Sequence, residues 1–264
     1  MKNFDLNKAK DRCKNHRRLL LHMSQKVNAI HIGGAFSSIE IVDVIYNNLI
    51  TNKNDKFIMS KGHGYLAQCA VLRELNILKQ KDIDEYCTPK GILGAHPDYG
   101  VPGIEASTGS LGHGLGIATG IALANTIEQN NNKTFVLMSD GELQEGSTWE
   151  NIMMAANLNL KNLIGIIDHN GSQSFGVTKE THPKFYPIVE KILSFGWECK
   201  SINGHNQNEI LKAFLHRSEN SPLMIVCNTI KGKGVSFMEN KPIWHYRSPN
   251  KEEYIQALKE IDIA

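Results

Sequence analysis

Apolar residues follow two alternating patterns along this chain: short continuous runs, and longer segments with an apolar residue every three or four positions. Short runs are typical of buried strands, and the longer spacing is typical of helices that bury one face. The predicted strands are a short run leading into the segment 57–64, then Phe135–Ser139, Leu163–Asp168, Glu198–Ile202 and Leu223–Asn228. The predicted helices are at about Leu6–Ile30, Ser37–Leu49, Tyr65–Leu75, Leu111–Glu128, Ser147–Leu158, near Pro187, at Gln207–His216 and after Lys251.

Strands separated by helix-length segments indicate parallel strand–helix–strand units. We therefore predict an α/β fold, a doubly wound, mainly parallel sheet flanked by helices. Residues 1–264 are expected to form a single domain that opens with a helical segment. In such sheets ligands bind beyond the carboxyl ends of the strands. The loops after Ser139, Asp168 and Asn228 should therefore converge on one site.

Two pairs of residues have the spacing of a capping box, in which a serine and a later glutamate bond the first turn of a helix. Ser37 with Glu40, and Ser147 with Glu150, are separated by three positions just before apolar segments. We therefore expect helices to start at these two serines, and residues 31–34 to form a loop before the first of them.

The charge balance narrows the range of partners. The 264 residues include 29 Lys and Arg against 27 Asp and Glu, a formal net charge of +2, which favours no nucleic acid or other acidic polymer. The basic residues of the first helix are expected to face solvent. No segment reaches the roughly 18–20 continuous apolar residues of a membrane span, and the first residues lack the layout of a signal peptide. We expect a cytoplasmic protein without a membrane segment.

Glycines and strand ends indicate where a ligand binds. Nine of the 22 glycines lie between Gly91 and Gly120, a density that brings backbone close to a ligand or folds it into tight loops. Asp140-Gly141 and Asn170-Gly171 each follow a predicted strand. Carboxylate and amide oxygens suit Mg²⁺, which completes its coordination with phosphate oxygens and water. A phosphorylated ligand is therefore expected; ordinary turns after the two strands are the alternative explanation of these residues.

The segment 112–116, Gly-His-Gly-Leu-Gly, superficially resembles a dinucleotide-binding fingerprint. That fingerprint requires a strand directly before its glycines. Here the preceding segment, 102–110, is polar and broken by proline and glycine. Nicotinamide binding is therefore disfavoured.

Several motifs together resemble transketolase, in the order in which that family has them. They are Met59–Gly64, His96–Asp98, Gly103–Gly114, Ser139–Gly146, Asp168–Gln173, Phe195–Glu198 and Asn203–His205. The resemblance runs from about His31 to Pro249. The segment 232–239, followed by Trp244-His245, is most similar to the separate N-terminal subunits of split transketolases.

The resemblance implies a thiamine-diphosphate enzyme in which this chain is the diphosphate-binding domain. Asp140 and Asn170 match the family's metal ligands, and the backbone carbonyl near Ser172 is the third. The metal is Mg²⁺ or another divalent cation such as Ca²⁺ or Mn²⁺. Gly141 matches the position beside the diphosphate, and Glu142 is placed with it among the cofactor-binding residues.

The resemblance also assigns the residues around the reacting part of the cofactor. The segment Gly109, Ser110, Leu111 matches positions that line its rings. His31, His63 and His96 match histidines around the sugar and cofactor, with His63 also binding the cofactor. Imidazoles titrate near neutral pH and can serve as acid and base.

Two further residues match weaker positions of the family pattern. His245 matches another histidine near the end of its loop, and Glu145 matches a glutamate at the interface between subunits. Four histidines lie in no matching motif and are expected to be ordinary surface or packing residues. They are His16, His22, His182 and His216.

Three residues depart from the family pattern. Ser139 replaces a glycine, His113 stands where many members have glutamine, and Phe175 replaces an aspartate that often precedes glycine. These departures leave open the shape of the loop at 170–176 and the contact made at His113.

The implied function is transfer of a two-carbon ketol unit from a ketose or ketose phosphate to an aldose. The family's glutamate that activates the cofactor, and its grip on the substrate phosphate, come from a pyrimidine-binding domain for which this chain has no residues left. We therefore expect a separate C-terminal partner subunit, an α2β2 assembly and no activity without it. Alternatives are a component of another thiamine-diphosphate enzyme, such as a 2-oxoacid decarboxylase or dehydrogenase or a deoxyxylulose-phosphate synthase, and a non-catalytic scaffold.

Overall fold

The structure, a computed structural model, describes residues 4–173 and 176–263. Its strands are β1 (Lys56–Met59), β2 (Thr134–Ser139), β3 (Leu163–His169), β4 (Ser172–Gln173), β5 (Gly176–Val177), β6 (Glu198–Asn203) and β7 (Leu223–Asn228). Its α-helices are α1 (Leu6–Ser24), α2 (Ile32–Val44), α3 (Tyr65–Glu74), α4 (Gln80–Asp84), α5 (Gly114–Ile127), α6 (Gly146–Asn157), α7 (Thr178–Thr181), α8 (Ile188–Ser194), α9 (Gln207–Leu215) and α10 (Lys251–Ile263).

Within those described ranges, five strands form one parallel sheet in the order β1-β2-β3-β7-β6. The predicted parallel α/β fold is confirmed. Two elements have no counterpart in the sequence prediction, the short helix α4 and the antiparallel ribbon of β4 with β5. Both are too short to give a periodic apolar pattern.

The sheet buries both of its faces, because successive strand residues point to opposite sides. Phe135 and Leu137 of β2 pack into a core built with α1, α2, α3, α9 and α10. Val136 and Met138 of the same strand pack into a second core built with α5, α6 and α8. Helices therefore cover both faces, as the doubly wound prediction requires.

The start of α2 differs from the prediction. The helix begins at Ile32, so residues 32–34 belong to it and Ser37 does not cap it. The reason is long-range packing: a Cβ added at Gly33 would lie 2.7 Å from the carbonyl oxygen of Trp244. The Ser37 hydroxyl instead donates to Asp168, at 2.6 Å, across the core.

The prediction for the start of α6 is also wrong by one position. The helix begins at Gly146, with Glu145 as its N-cap residue. The Ser147 hydroxyl does not cap it but donates to the carbonyl of Gly112, at 2.9 Å. Helix α5 begins at Gly114 rather than Leu111, because Gly112 has a φ of +83°, outside the helical region.

A search of the described helices for a span that is both long and apolar enough to cross a membrane finds none.

Candidate functional site

The carboxyl ends of the strands border a cavity of about 480 Å³. The loops after β2, β3 and β7 converge there, as predicted from the strand order. It is lined by His31, Gly34, His63, His96, Gly109, Leu111, Ser139, Gly141, Gln144, Glu145, Asn170, Ser172, Gln173, His182, Lys231 and His245.

Asp140 is fully buried directly after β2, at the floor of this cavity. Its carboxylate accepts hydrogen bonds from the N–H of Gly141, at 3.0 Å, and of Gly171, at 2.8 Å. Burial, together with the nearby charge of Asp168, raises the pKa of Asp140 to about 6. A buried carboxylate held only by hydrogen bonds from neutral groups has charge left to share with a cation.

Asn170 lies beside Asp140, after β3, and is also buried. Its amide nitrogen donates to Asp168 at 3.0 Å, which fixes which end of the amide is the oxygen. That oxygen accepts from the N–H of Ser172, at 3.1 Å. The side-chain oxygens of Asp140 and Asn170 and the backbone at Ser172 thus meet at one edge of the cavity.

Asp168 and Lys61 form a buried ion pair beneath this edge, and both side chains have no exposed surface. The ammonium of Lys61 also donates to the carbonyl of Gly34, at 2.8 Å. Burial opposes the charge of Asp168, but Lys61 and the hydroxyls of Ser37 and Thr229 more than compensate. The pKa of Asp168 therefore lies below its usual value. This pair is a structural support rather than part of the cavity surface.

Glu142, predicted to bind the cofactor, lies behind the cavity and is not among its lining residues. Its carboxylate accepts from the hydroxyl of Ser60 and from the N–H groups of Gly112, at 2.9 Å, and Ser139, at 3.3 Å. Burial raises its pKa. Glu142 therefore joins the loops after β1 and β2 to the glycine-rich segment.

Four predicted histidines meet in the cavity. The ring centre of His31 lies 5.9 Å from that of His63, 5.6 Å from that of His96 and 5.4 Å from that of His245. Those of His63 and His245 are 5.6 Å apart. These residues come from four separate loops or helix ends, and the fold brings them together.

Three of these imidazoles are neutral at physiological pH. Burial, then the charges of neighbouring groups, lowers the pKa of His31 to about 4. Burial and Lys231 lower the pKa of His245 to about 4, and burial and Lys61 lower that of His63 well below its usual value. Neutral imidazoles can accept hydrogen bonds from sugar hydroxyls without repelling one another.

Lys231 is the main cavity residue that the sequence prediction missed. It is almost fully buried, and its ammonium lies 3.0 Å from Nδ1 of His245. Burial, and then the charge of Lys61, lowers its pKa to about 8, so it is mostly charged at neutral pH. It follows β7 in a basic run whose other lysine, Lys233, forms a salt bridge with Glu239, at 3.3 Å.

The glycine-rich segment supplies one wall through Gly109 and Leu111. Gly109 has a φ of +140°, and a Cβ there would lie 3.0 Å from the ring of His96. Glycine is therefore required where this backbone meets the histidine. Ser110, also predicted, is exposed and does not line the cavity; its carbonyl oxygen lies 3.2 Å from Nδ1 of His113.

The remaining predicted residues lie at the rim or outside the described part of the chain. Glu145 lines the cavity but is exposed. Ser139 lines it and accepts from the N–H of Glu142, at 3.2 Å, whereas His113 is not a lining residue. Phe175 lies outside the described residues. His182, expected to be an ordinary residue, is placed at the cavity by the turn after α7.

A second group of metal-binding residue types lies away from the cavity. Ligand atoms of Cys13, His16 and Asp43 are within 4.8 Å of one another. However, Asp43 accepts two hydrogen bonds from Arg12, at 2.7 and 2.9 Å, and one from Gln207, at 3.0 Å. A carboxylate already paired in this way needs no ion.

Comparisons with known proteins agree with these observations. The family model described as transketolase, thiamine diphosphate binding domain, matches residues 9–261. One of the two subunits of an apulose-4-phosphate transketolase from Phocaeicola vulgatus is 34% identical over 256 residues, covering 93% of this chain and 91% of that protein. A 6-deoxy-6-sulfo-D-fructose transketolase subunit from a Clostridium species is 35% identical over 257 residues, covering 93% of each chain.

Longer transketolases match over part of their length. A solved transketolase from Campylobacter jejuni superposes with a TM-score of 0.91 at 26% identity, covering 98% of this chain and 43% of that one. Human transketolase is 31% identical over 241 residues, covering 88% of this chain and 38% of that protein. The resemblance inferred from the motifs is therefore confirmed over nearly all of the chain.

Proposed function

Because this chain belongs to the transketolase family, whose members are transferases, we propose that it is the N-terminal subunit of a two-chain transketolase. In this proposal it forms a single diphosphate-binding domain, and a separate C-terminal subunit supplies the pyrimidine-binding domain in an α2β2 assembly. Two relatives that it matches over nearly their whole length are themselves named as subunits, which supports a second chain. The cytoplasmic location inferred from the sequence stays a prediction.

The cavity fits a diphosphate and a divalent cation. Asp140 is a buried carboxylate with hydrogen bonds from neutral groups only, among the described residues. A Cβ added at Gly141 would meet one atom within 4 Å, the Cβ of Gln173 at 3.5 Å, so the backbone there is accessible. Lys231 adds a buried positive charge. This juxtaposition of oxygen ligands, accessible backbone and a cation is the observation that carries the proposal.

We assign the residues accordingly. Asp140, Asn170 and the carbonyl of Ser172 hold Mg²⁺ or a similar divalent cation. The cofactor lies against Gly109, Leu111, Gly141, His63 and Lys231, with Glu142 and Ser110 supporting the loops rather than touching it.

The histidines around the rest of the cavity handle the sugar. Bound thiamine diphosphate supplies the nucleophilic carbon and the electron sink. His31, His96 and His245 orient the sugar hydroxyls and exchange protons with them, because the neutral rings of His31 and His245 can both accept and donate. Glu145, exposed at the rim, faces the partner subunit.

The transferred unit is a two-carbon ketol group, passed from a ketose to an aldose. The names of two relatives include a sugar phosphate and a sulfonated sugar, which supports a donor with an anionic group. A component of another thiamine-diphosphate enzyme would not need several histidines around a polar sugar.

The test is turnover of phosphorylated ketoses by the chain alone and by its complex with the protein that co-purifies with it. With Mg²⁺ and thiamine diphosphate we expect the complex alone to release the shortened aldose. Turnover by the single chain would contradict the two-chain proposal. A complex that binds thiamine diphosphate but releases no aldose would contradict the transketolase reaction, and absence of binding would favour a scaffold.

A further inference from the structure

The loop that carries Lys231 is fixed from outside the cavity on both sides of that lysine. Ahead of it, the N–H of Ile230 donates to Nε2 of His205, at 2.8 Å. Behind it, the carbonyl of Lys233 accepts from Nε of Arg17, at 2.9 Å. These bonds join segments separated by 25 and 216 residues in sequence, so local backbone preference does not explain them.

A buried carboxylate joins the two anchors. Glu40 pairs with Arg17, at 2.7 Å, and accepts from Nδ1 of His205, at 3.0 Å. Because Nε2 accepts the N–H of Ile230, the proton of the neutral ring must be on Nδ1, facing Glu40. Burial opposes ionisation of Glu40, but Arg17 and His205 more than offset it, and its pKa is lowered to about 2. The carboxylate therefore fixes both the orientation and the tautomer of His205.

We infer that Arg17, Glu40 and His205 are positioning residues that hold Lys231 in the cavity, with His205 acting through the N–H of Ile230. None of the three lines the cavity. Their action is to fix the backbone of residues 230–233, and so the direction of the Lys231 ammonium. This inference rests on the proposed function, because it assigns Lys231 to the diphosphate.

Two substitutions separate the bonds of His205. Asn in its place reaches Glu40 from the position of Nδ1 but is too short for Ile230. Gln places its carbonyl oxygen near the position of Nε2 and keeps the bond to Ile230. If the loop contact matters, His205→Asn should be impaired and His205→Gln should resemble the unsubstituted chain.

The first readout needs no cofactor. Amide hydrogen exchange of the segment 229–234 should be at least about tenfold faster in His205→Asn than in the unsubstituted chain, and unchanged in His205→Gln. The control His216→Asn, at the exposed end of α9, should leave exchange of this segment unchanged. Equal protection in all four proteins would overturn the inference.

The second readout is the dissociation constant for thiamine diphosphate with Mg²⁺, measured by calorimetry. His205→Asn and Lys231→Met should each weaken binding about tenfold, and the double variant should also be about tenfold weaker. An effect of about a hundredfold in the double variant would mean that His205 acts independently of Lys231 and would overturn the inference. If the unsubstituted chain and its complex both fail to bind, the proposed function falls, whereas the exchange experiment still decides whether His205 holds the loop.

Discussion

Asp140 and Asp168 are buried carboxylates at the ends of neighbouring strands, and their surroundings differ in one respect. Asp168 accepts from Lys61, Ser37, Asn170 and Thr229, one of which is a cation. Asp140 accepts from two N–H groups and the hydroxyl of Thr178, at 3.4 Å. No Lys or Arg of the described residues lies within 4.0 Å of it.

The difference shows how a sheet edge divides structural from ligand-binding charge. A buried charge is costly unless a partner of opposite charge compensates it. Lys61 compensates Asp168 within the chain, and the pKa of that carboxyl is lowered. For Asp140, burial and the charge of Asp168 raise the pKa to about 6, so compensation must come from outside. One carboxylate is part of the fold, and the other is a candidate ligand for a cation.

The largest expected effect comes from breaking the internal pair. Lys61→Met removes the ammonium but keeps most of the apolar stem, leaving Asp168 buried without a cation. The free energy of unfolding should fall by about 3–5 kcal/mol, measured by urea denaturation at pH 7 without added metal. The matched substitution Asp140→Asn should change it by less than about 1 kcal/mol, because no cation loses its partner. Equal losses in the two variants would contradict the comparison.

A smaller effect distinguishes the two sites when ligands are present. With Mg²⁺ and thiamine diphosphate at ten times the dissociation constant, the free energy of unfolding should rise by about 1.4 kcal/mol. Asp140→Asn should abolish this rise, because the amide cannot supply the charge that the cation needs. Asp262→Asn, an exposed carboxyl on α10 far from the cavity in sequence, is the control and should retain it. A rise of full size in Asp140→Asn would show that Asp140 is not a metal ligand.

The sheet and the positions of the metal-type ligands could be predicted because they depend on local patterns. Strand β7, Leu223–Asn228, has the predicted bounds, since a continuous apolar run reflects burial on both faces. Asp140 and Asn170 were placed together by the rule for parallel strand ends alone. The histidines required the family resemblance, because their loops are far apart in sequence.

What could not be predicted depends on contacts between distant segments. Ser37 has the spacing of a helix cap, but in the structure it bonds Asp168, 131 residues away. Lys231 stands in a basic run that is typical of exposed loops, and only the packing of that loop against α2 buries it; the N–H of Gly232 donates to the carbonyl of Gly33, at 3.0 Å. Neither partner can be identified from spacing along the chain.

The smallest effect concerns buried groups that stay neutral instead of being paired, with His31 as the example. Unfolded, its imidazole takes up a proton below about pH 6.5; folded, it does so only below about pH 4, facing His63, His96, His245 and Lys231. The unfolded state therefore binds more protons between these values, and stability should fall as the pH falls through that window.

His31→Asn removes this contribution and tests it. Between pH 7 and pH 5 the unsubstituted chain should lose about 1 kcal/mol more unfolding free energy than the variant, after allowance for the partial exposure of the ring. Between pH 8 and pH 7 both should change in parallel, because the ring is then neutral in both states. Equal losses down to pH 5 would mean that the folded protein accommodates a charged His31, as it accommodates Asp168, and that the cavity does not keep its histidines neutral.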